Sequence, residues 1–148
     1  MEKKLAINVV MHVEDSARLR DLLLLSGNAL PYKVITLGHP GSMLRVKECL
    51  ERGEVVGILA DRVYRSEPTL CVPFLGRPAR FSLSPMRLAT ITGAPVVMAF
   101  GLFRGGRSYE IVFEPLGTHV LQCYVERLEH HARHSPYNWF NFYDYWGA

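Results

Sequence analysis

Short apolar runs alternate with stretches of helical period along this chain. Leu5–His12 (LAINVVMH), Lys33–Leu37 (KVITL) and Val55–Ala60 each read as a strand, and runs this apolar suit the middle of a sheet. Between the first two, Glu14–Ser26 reads as a helix, with acids in its first turn and Gly27 and Asn28 as its stop. Ser42 is placed to cap a helix running to Glu51, which Gly53 ends. Thr69–Leu75 reads as a strand that Pro73 pushes towards an edge or a bulge. Ser84 and Pro85 open a short helix to Thr92, with Gly93 as its stop. Val96–Leu102 is another strand. The turn Arg104-Gly105-Gly106-Arg107 returns it as a hairpin through Tyr109–Phe113. After Gly117 and Thr118 comes a helix with Leu121, Tyr124, Leu128 and Ala132 on one face.

Strands alternating with helices predict an α/β fold, a mixed and largely parallel sheet flanked by helices, parallel in its first half. The length of 148 residues fits one domain over residues 1–148. A chain of that size buries roughly 70% of its unfolded surface and needs no covalent staples. Its three cysteines are widely separated, with no C-x-x-C pair, which reads as reduced thiols in a cytoplasmic setting. Cys49 and Cys71 stand in apolar patterns and read as core residues. The opening Met1-Glu2-Lys3-Lys4 is basic, but the apolar run behind it is too short for a signal peptide. No run reaches the roughly 20 apolar residues of a membrane helix, so the expectation is a cytoplasmic protein, with peripheral contact on the inner face of the membrane left open.

Charge changes the picture locally. Net charge is only +3, yet thirteen of the seventeen basic residues are arginine. From Arg62 to Arg107 the chain holds seven arginines (62, 65, 77, 80, 87, 104 and 107) and one acid, Glu67. The planar guanidinium fork matches phosphate or carboxylate, so this stretch reads either as an anion-facing surface or as a solvated basic face. The tail Tyr137–Trp146 carries seven aromatics in ten residues, which fits packing on the sheet and, with polar-tipped Trp and Tyr, also a membrane interface.

Other constellations point less far. His12, Glu14 and Asp15 do not converge as a metal site would, and no second cluster completes one. His130 and His134 share a helix face without an evident third ligand, so His130, His131 and His134 read as a solvated helix end. Ser82 and Ser84 at a helix start fit either capping or an anion on free N–H groups. There is no Walker loop and no G-x-G-x-x-G, so no cofactor is expected. The arginines come without the lysines and modules of nucleic-acid binding.

Taken together, the run Leu50–Arg62 (LERGEVVGILADR), the segment Phe74–Ala79 (FLGRPA), the run Leu88–Val97 (LATITGAPVV), Arg104 and the closing Ser135–Trp146 (SPYNWFNFYDYW) resemble a known family. It is the bacterial lipid A late-acyltransferase type of the lysophospholipid acyltransferase superfamily, and the likeness runs from the first strand to the end. The resemblance implies the latter part of that fold. It also implies transfer of a fatty acyl group from acyl carrier protein or acyl-coenzyme A to a lipid hydroxyl. It places Arg62, Gly76, Arg77 and Arg104 on the side of the acyl donor or phospholipid head group. Asp61 then either orients Arg62 or forms an ordinary surface ion pair with it.

Such enzymes use a His to take the hydroxyl proton and a carboxylate five positions on to hold the imidazole. Here the residues five positions after the six histidines are Ala17, Leu44, Tyr124, Ser135, Pro136 and Trp139. No catalytic residue is therefore assigned. The expectation is an N-terminally truncated acyltransferase-like domain, inactive alone. The alternatives are a non-catalytic module binding an anionic lipid or carrier protein, and a fragment of a longer enzyme. Apolar strands without the family's upstream cover also predict pairing with a second copy or a partner protein.

Overall fold

The computed structural model describes residues 5–12, 21, 32–63, 67–117, 120–139 and 144–147. Apart from Asp21, the helix expected over Glu14–Ser26 lies outside them, as do Arg65 and His119. The chain divides into two compact units, Met1–Leu59 and Ala60–Ala148.

In the first unit, β1 (Ile7–Met11), β2 (Lys33–Thr36) and β3 (Val55–Ile58) form a parallel sheet in the order β2-β1-β3. Between β2 and β3 lies α1 (Ser42–Glu51). Its buried Ser42, Val46 and Cys49 recur at helical spacing and make one inward stripe. Val10 and Ile35 of the sheet are likewise buried. Ser42 does not cap α1 as expected. Gly41 holds the cap position, and the Ser42 hydroxyl instead donates back to the carbonyls of Thr36 (2.7 Å) and His39 (2.8 Å). That ties the helix start to the end of β2.

Asn8, buried on the central strand, is a polar group that must be satisfied. Its amide donates to Glu54 Oε2 at 2.8 Å and to the Val55 carbonyl at 3.3 Å. Arg52 Nε holds the other Glu54 oxygen at 2.7 Å. Arg52, and after it Asn8, stabilise the charged carboxylate and bring the Glu54 pKa from 4.5 down to about 2.

The second unit runs β4 (Thr69–Phe74), β5 (Arg77–Ser82), α2 (Ser84–Thr92), β6 (Val96–Gly105), β7 (Ser108–Leu116), α3 (Val120–His134) and a 3₁₀ turn at Pro136–Asn138. Its four strands are two antiparallel hairpins, β4-β5 and β6-β7. The α/β class is as expected, but the largely parallel sheet is corrected. Among the described residues there are three separate sheets, and only the first is parallel. Strand β5 has no counterpart in the sequence reading, because two prolines obscure it. They stand opposite each other, Pro73 against Pro78, one step from the Phe74–Arg77 pair that closes a two-residue turn. That makes them a non-hydrogen-bonded pair, where the ladder asks for no N–H. Cys71 is a second correction: it is exposed on β4, whereas Cys49 is buried.

The core of the second unit gathers around Phe74, which is 0% exposed. Phe81, Trp139, Tyr145 and Trp146 surround its ring with centroids 5.5, 5.5, 5.6 and 6.3 Å away. The aromatic tail thus packs, through the described Trp139, Tyr145 and Trp146. Helix α3 closes the other side with buried Tyr124, Val125 and Ala132, and with partly buried Leu121 and Leu128.

Phe74→Ala should lower stability by about 3–5 kcal/mol, the usual cost of emptying a buried aromatic site. Phe113→Ala, at a side chain 68% exposed, should change it by no more than ~0.5 kcal/mol. Urea unfolding of both variants checks the contrast. The depressed Glu54 pKa carries its own sign. Its contribution to stability is complete above 4.5 and is lost as pH falls from 4.5 towards 2. Glu54→Gln should therefore be less stable than wild type at neutral pH and lose less over that acid window, as thermal melts across the pH range would read.

Candidate functional site

The arginines of the second unit stand on separate elements. Arg62 is exposed beside a half-buried Asp61, just after the start of the unit. Arg77 opens β5, Arg80 lies further along it opposite Cys71, and Arg87 is exposed on α2. Arg104 and Arg107 are exposed at the end of the β6-β7 hairpin. Arg65 is outside the described residues.

Arg77 is the best placed of them. It follows the two-residue turn of Leu75 (φ 52°) and Gly76 (φ 80°), both left-handed. Glycine takes that backbone freely, while a leucine there is a strained exception. An external group supports the leucine: its N–H donates to Glu129 Oε2 of α3 at 2.9 Å. This bond, and after it Arg133, hold the Glu129 carboxyl below its ordinary pKa. Arg133 Nη2 meets the other oxygen at 2.6 Å. From this braced turn the Arg77 guanidinium reaches over the Trp146 ring, 5.2 Å from its centroid. Stacking of this kind orients the fork while leaving its N–H edge for an anion.

Arg104 is engaged differently. Its Nε and Nη2 both reach Glu110 Oε2, at 2.7 and 2.5 Å. Both side chains are half exposed, so the pair is a weak surface interaction that an incoming anion can compete with. The ladder shifts register between Phe103 and Gly105, which places Arg104 on a bulge.

Two further groupings were not legible in the sequence. Ser82 donates to Glu67 Oε2 at 2.5 Å and accepts from Ser84 N at 3.2 Å. The one acid of the arginine-rich stretch is thus tied through Ser82 to the residue that opens α2. The second is His131. Read as part of a solvated helix end, it is instead only 13% exposed, with Nε2 2.8 Å from Glu114 Oε1 of β7. Its ring lies 4.0 Å from that of Phe100, and Arg127 approaches Glu114 Oε2 at 3.4 Å. Histidine and glutamate are 17 residues apart, so no short motif carries the pair. Strand-to-helix packing creates it. His134, by contrast, is exposed and turns Nδ1 to the His130 carbonyl at 2.8 Å.

Among the described residues, no three or more His, Cys, Asp or Glu gather as a metal site would require, and no helix is long and apolar enough to cross a membrane.

The sequence model of the family described as bacterial lipid A biosynthesis acyltransferase matches residues 33–141, most of the chain. It agrees with the resemblance carried by the Leu50–Arg62, Phe74–Ala79 and Leu88–Val97 runs. No individual curated protein matches the chain.

Proposed function

The chain belongs to the bacterial lipid A biosynthesis acyltransferase family, and from that membership we propose that it is a binding domain for fatty acyl transfer to a lipid hydroxyl. The donor is acyl carrier protein or acyl-coenzyme A. Arg62, Gly76, Arg77 and Arg104 receive the anionic end of the donor or of the lipid acceptor. The observation that carries the reading is Arg77. It stands in the family-matched segment, follows a turn held by Glu129, and lies over Trp146, with no carboxylate paired to it among the described residues.

Acyl transfer needs a group to take the hydroxyl proton, and no histidine here has an acid five positions on. We propose accordingly that the chain alone does not turn over. The reading as a non-catalytic module for an anionic lipid or carrier protein follows if it never meets a base from elsewhere. Through-space pairing of His131 with Glu114 supplies the same two chemical groups. Its burial against Phe100 and its place between β7 and α3 favour a structural clasp.

The purified chain, given acyl carrier protein or acyl-coenzyme A donors and a lipid acceptor, should show no transfer above background. Losing a general base alone costs ~10²–10⁴-fold. Robust turnover would defeat the proposal, and its loss in His131→Gln would then locate the base. Arg62, Arg77 and Arg104 are proposed to converge on one anion site, with Arg65 and Arg80 peripheral. Phosphate titrated by calorimetry at low salt should bind weakly. Arg77→Ala should weaken it about tenfold or more, in line with the ~1.5–3 kcal/mol of a charge-assisted hydrogen bond. Additive, independent losses at the three arginines, or no phosphate binding, would count against one shared site.

A further inference from the structure

Helix α3 carries a row of polar side chains on its exposed side: Gln122, Glu126, His130 and His134, each four residues from the next. Residues at that spacing lie one above another on a helix surface. The two histidines that end the row are exposed. Their rings lie with centroids 4.1 Å apart and planes at 32°. His131 between them is set apart: its ring stands at 89° to that of His130, and its Nε2 is committed to Glu114.

His134 is also held in one tautomer. Its Nδ1 lies 2.8 Å from the His130 carbonyl, and a carbonyl can only accept. In the neutral imidazole the proton therefore sits on Nδ1 and the lone pair on Nε2. A ring N–H tied to a backbone carbonyl is the outer support that metal-binding histidines use: it fixes the ring and makes the other nitrogen more basic. The spacing fits as well. Two imidazole nitrogens bound at about 2.1 Å to one ion leave their rings roughly 4–5 Å apart. The place favours a cation, since the last turn of α3 carries the unsatisfied carbonyls of the helix's negative end. The neighbouring guanidinium groups are held to carboxylates, Arg133 to Glu129 at 2.6 Å and Arg127 to Glu114 at 3.4 Å. Glu126, one turn back, adds a carboxylate that accepts from Gln122 Nε2 at 3.0 Å.

We propose that His130 and His134 form a two-histidine chelate for a divalent transition-metal ion, with water completing its coordination shell. Imidazole nitrogen selects Ni²⁺, Cu²⁺ and Zn²⁺ over Mg²⁺ and Ca²⁺, which take oxygen ligands. Two protein ligands make an exchangeable site open to solvent, unlike the closed shell of a structural ion, in which the protein supplies every ligand. The bound ion bridges successive turns at the end of α3. There the chain passes into the 3₁₀ turn at Pro136–Asn138, which Asn138 ties to Phe103 N. The chelate therefore fastens the point at which the aromatic tail leaves the helix.

The test is calorimetric titration of the full, untagged chain with Ni²⁺, and with Mg²⁺ as the oxygen-seeking comparison. Ni²⁺ should bind and Mg²⁺ should not. Joining two ligands on one scaffold raises affinity by about 10²–10⁴-fold over either alone. His130→Ala and His134→Ala should therefore each weaken Ni²⁺ binding about tenfold or more, and the double variant should lose little beyond either single one. Alanine suits an exposed helix position, so the circular dichroism spectrum should be kept. His39→Ala and Cys71→Ser, at an exposed histidine and an exposed thiol elsewhere in the chain, should leave the affinity unchanged. Ni²⁺ should also raise the melting temperature of the wild type and of neither α3 single variant. Independent, additive losses at the two positions would mean two separate surface histidines and overturn the proposal. So would undiminished binding by either single variant, loss of binding in Cys71→Ser, or no Ni²⁺ binding at all. The assay contains no acyl donor or phosphate, so its failure leaves the acyl-transfer reading standing, and failure of that reading leaves this one standing.

Discussion

The packing of Phe74 is the constraint around which the second unit is arranged. It is the last residue of β4, and it brings Phe81 of the paired strand together with Trp139, Tyr145 and Trp146 of the tail. Aromatic rings at these separations, three of the four meeting it edge-on or tilted, combine large burial with favourable quadrupole geometry. The chain must therefore turn at once beyond Phe74, and it turns through Leu75 and Gly76. Arg77 is delivered over Trp146 as a consequence. The candidate anion-binding group is positioned by the same cluster that holds the unit together.

Charges elsewhere are used to fasten elements. Glu54 joins Arg52 to the buried Asn8, and Glu129 joins Arg133 to the Leu75 amide. Glu114 gathers His131 and Arg127. In the first two a carboxylate spans an exposed arginine and a group belonging to another element, so that one end is local and the other specifies tertiary structure. Arg104 with Glu110 is a surface pair on one hairpin. Among the described residues, the arginines thus include several committed to carboxylates and one, Arg77, set against a ring.

Much of the fold was legible because its signals are local. The helices at Ser42–Glu51 and Ser84–Thr92 and the hairpin around Gly105 and Gly106 announce themselves by apolar period and turn residues. The face of Tyr124 and Ala132 on α3 was equally plain. What escaped was set by pairing at a distance. Strand β5 was hidden because proline counts against a strand unless its partner position needs no N–H, and only the register reveals that. Cys71 looked apolar in sequence, but which side of β4 faces inward depends on where Phe74 goes. His131 and Glu114 lacked a motif because a strand and a helix bring them together. The family was readable from runs of residues; the braces around its arginines were not.

Glu129 lies 54 residues beyond the amide it accepts. A two-residue hairpin turn is ordinarily a local event, complete as soon as its strands meet. Here the strained residue of the turn finds its acceptor only when a helix from much later in the chain arrives. During synthesis the β4-β5 hairpin emerges well before α3, with Leu75 in a backbone state that nothing yet rewards. The turn is therefore fully satisfied only with α3 packed beside it, and the ring over which Arg77 lies, Trp146, comes later still in the chain.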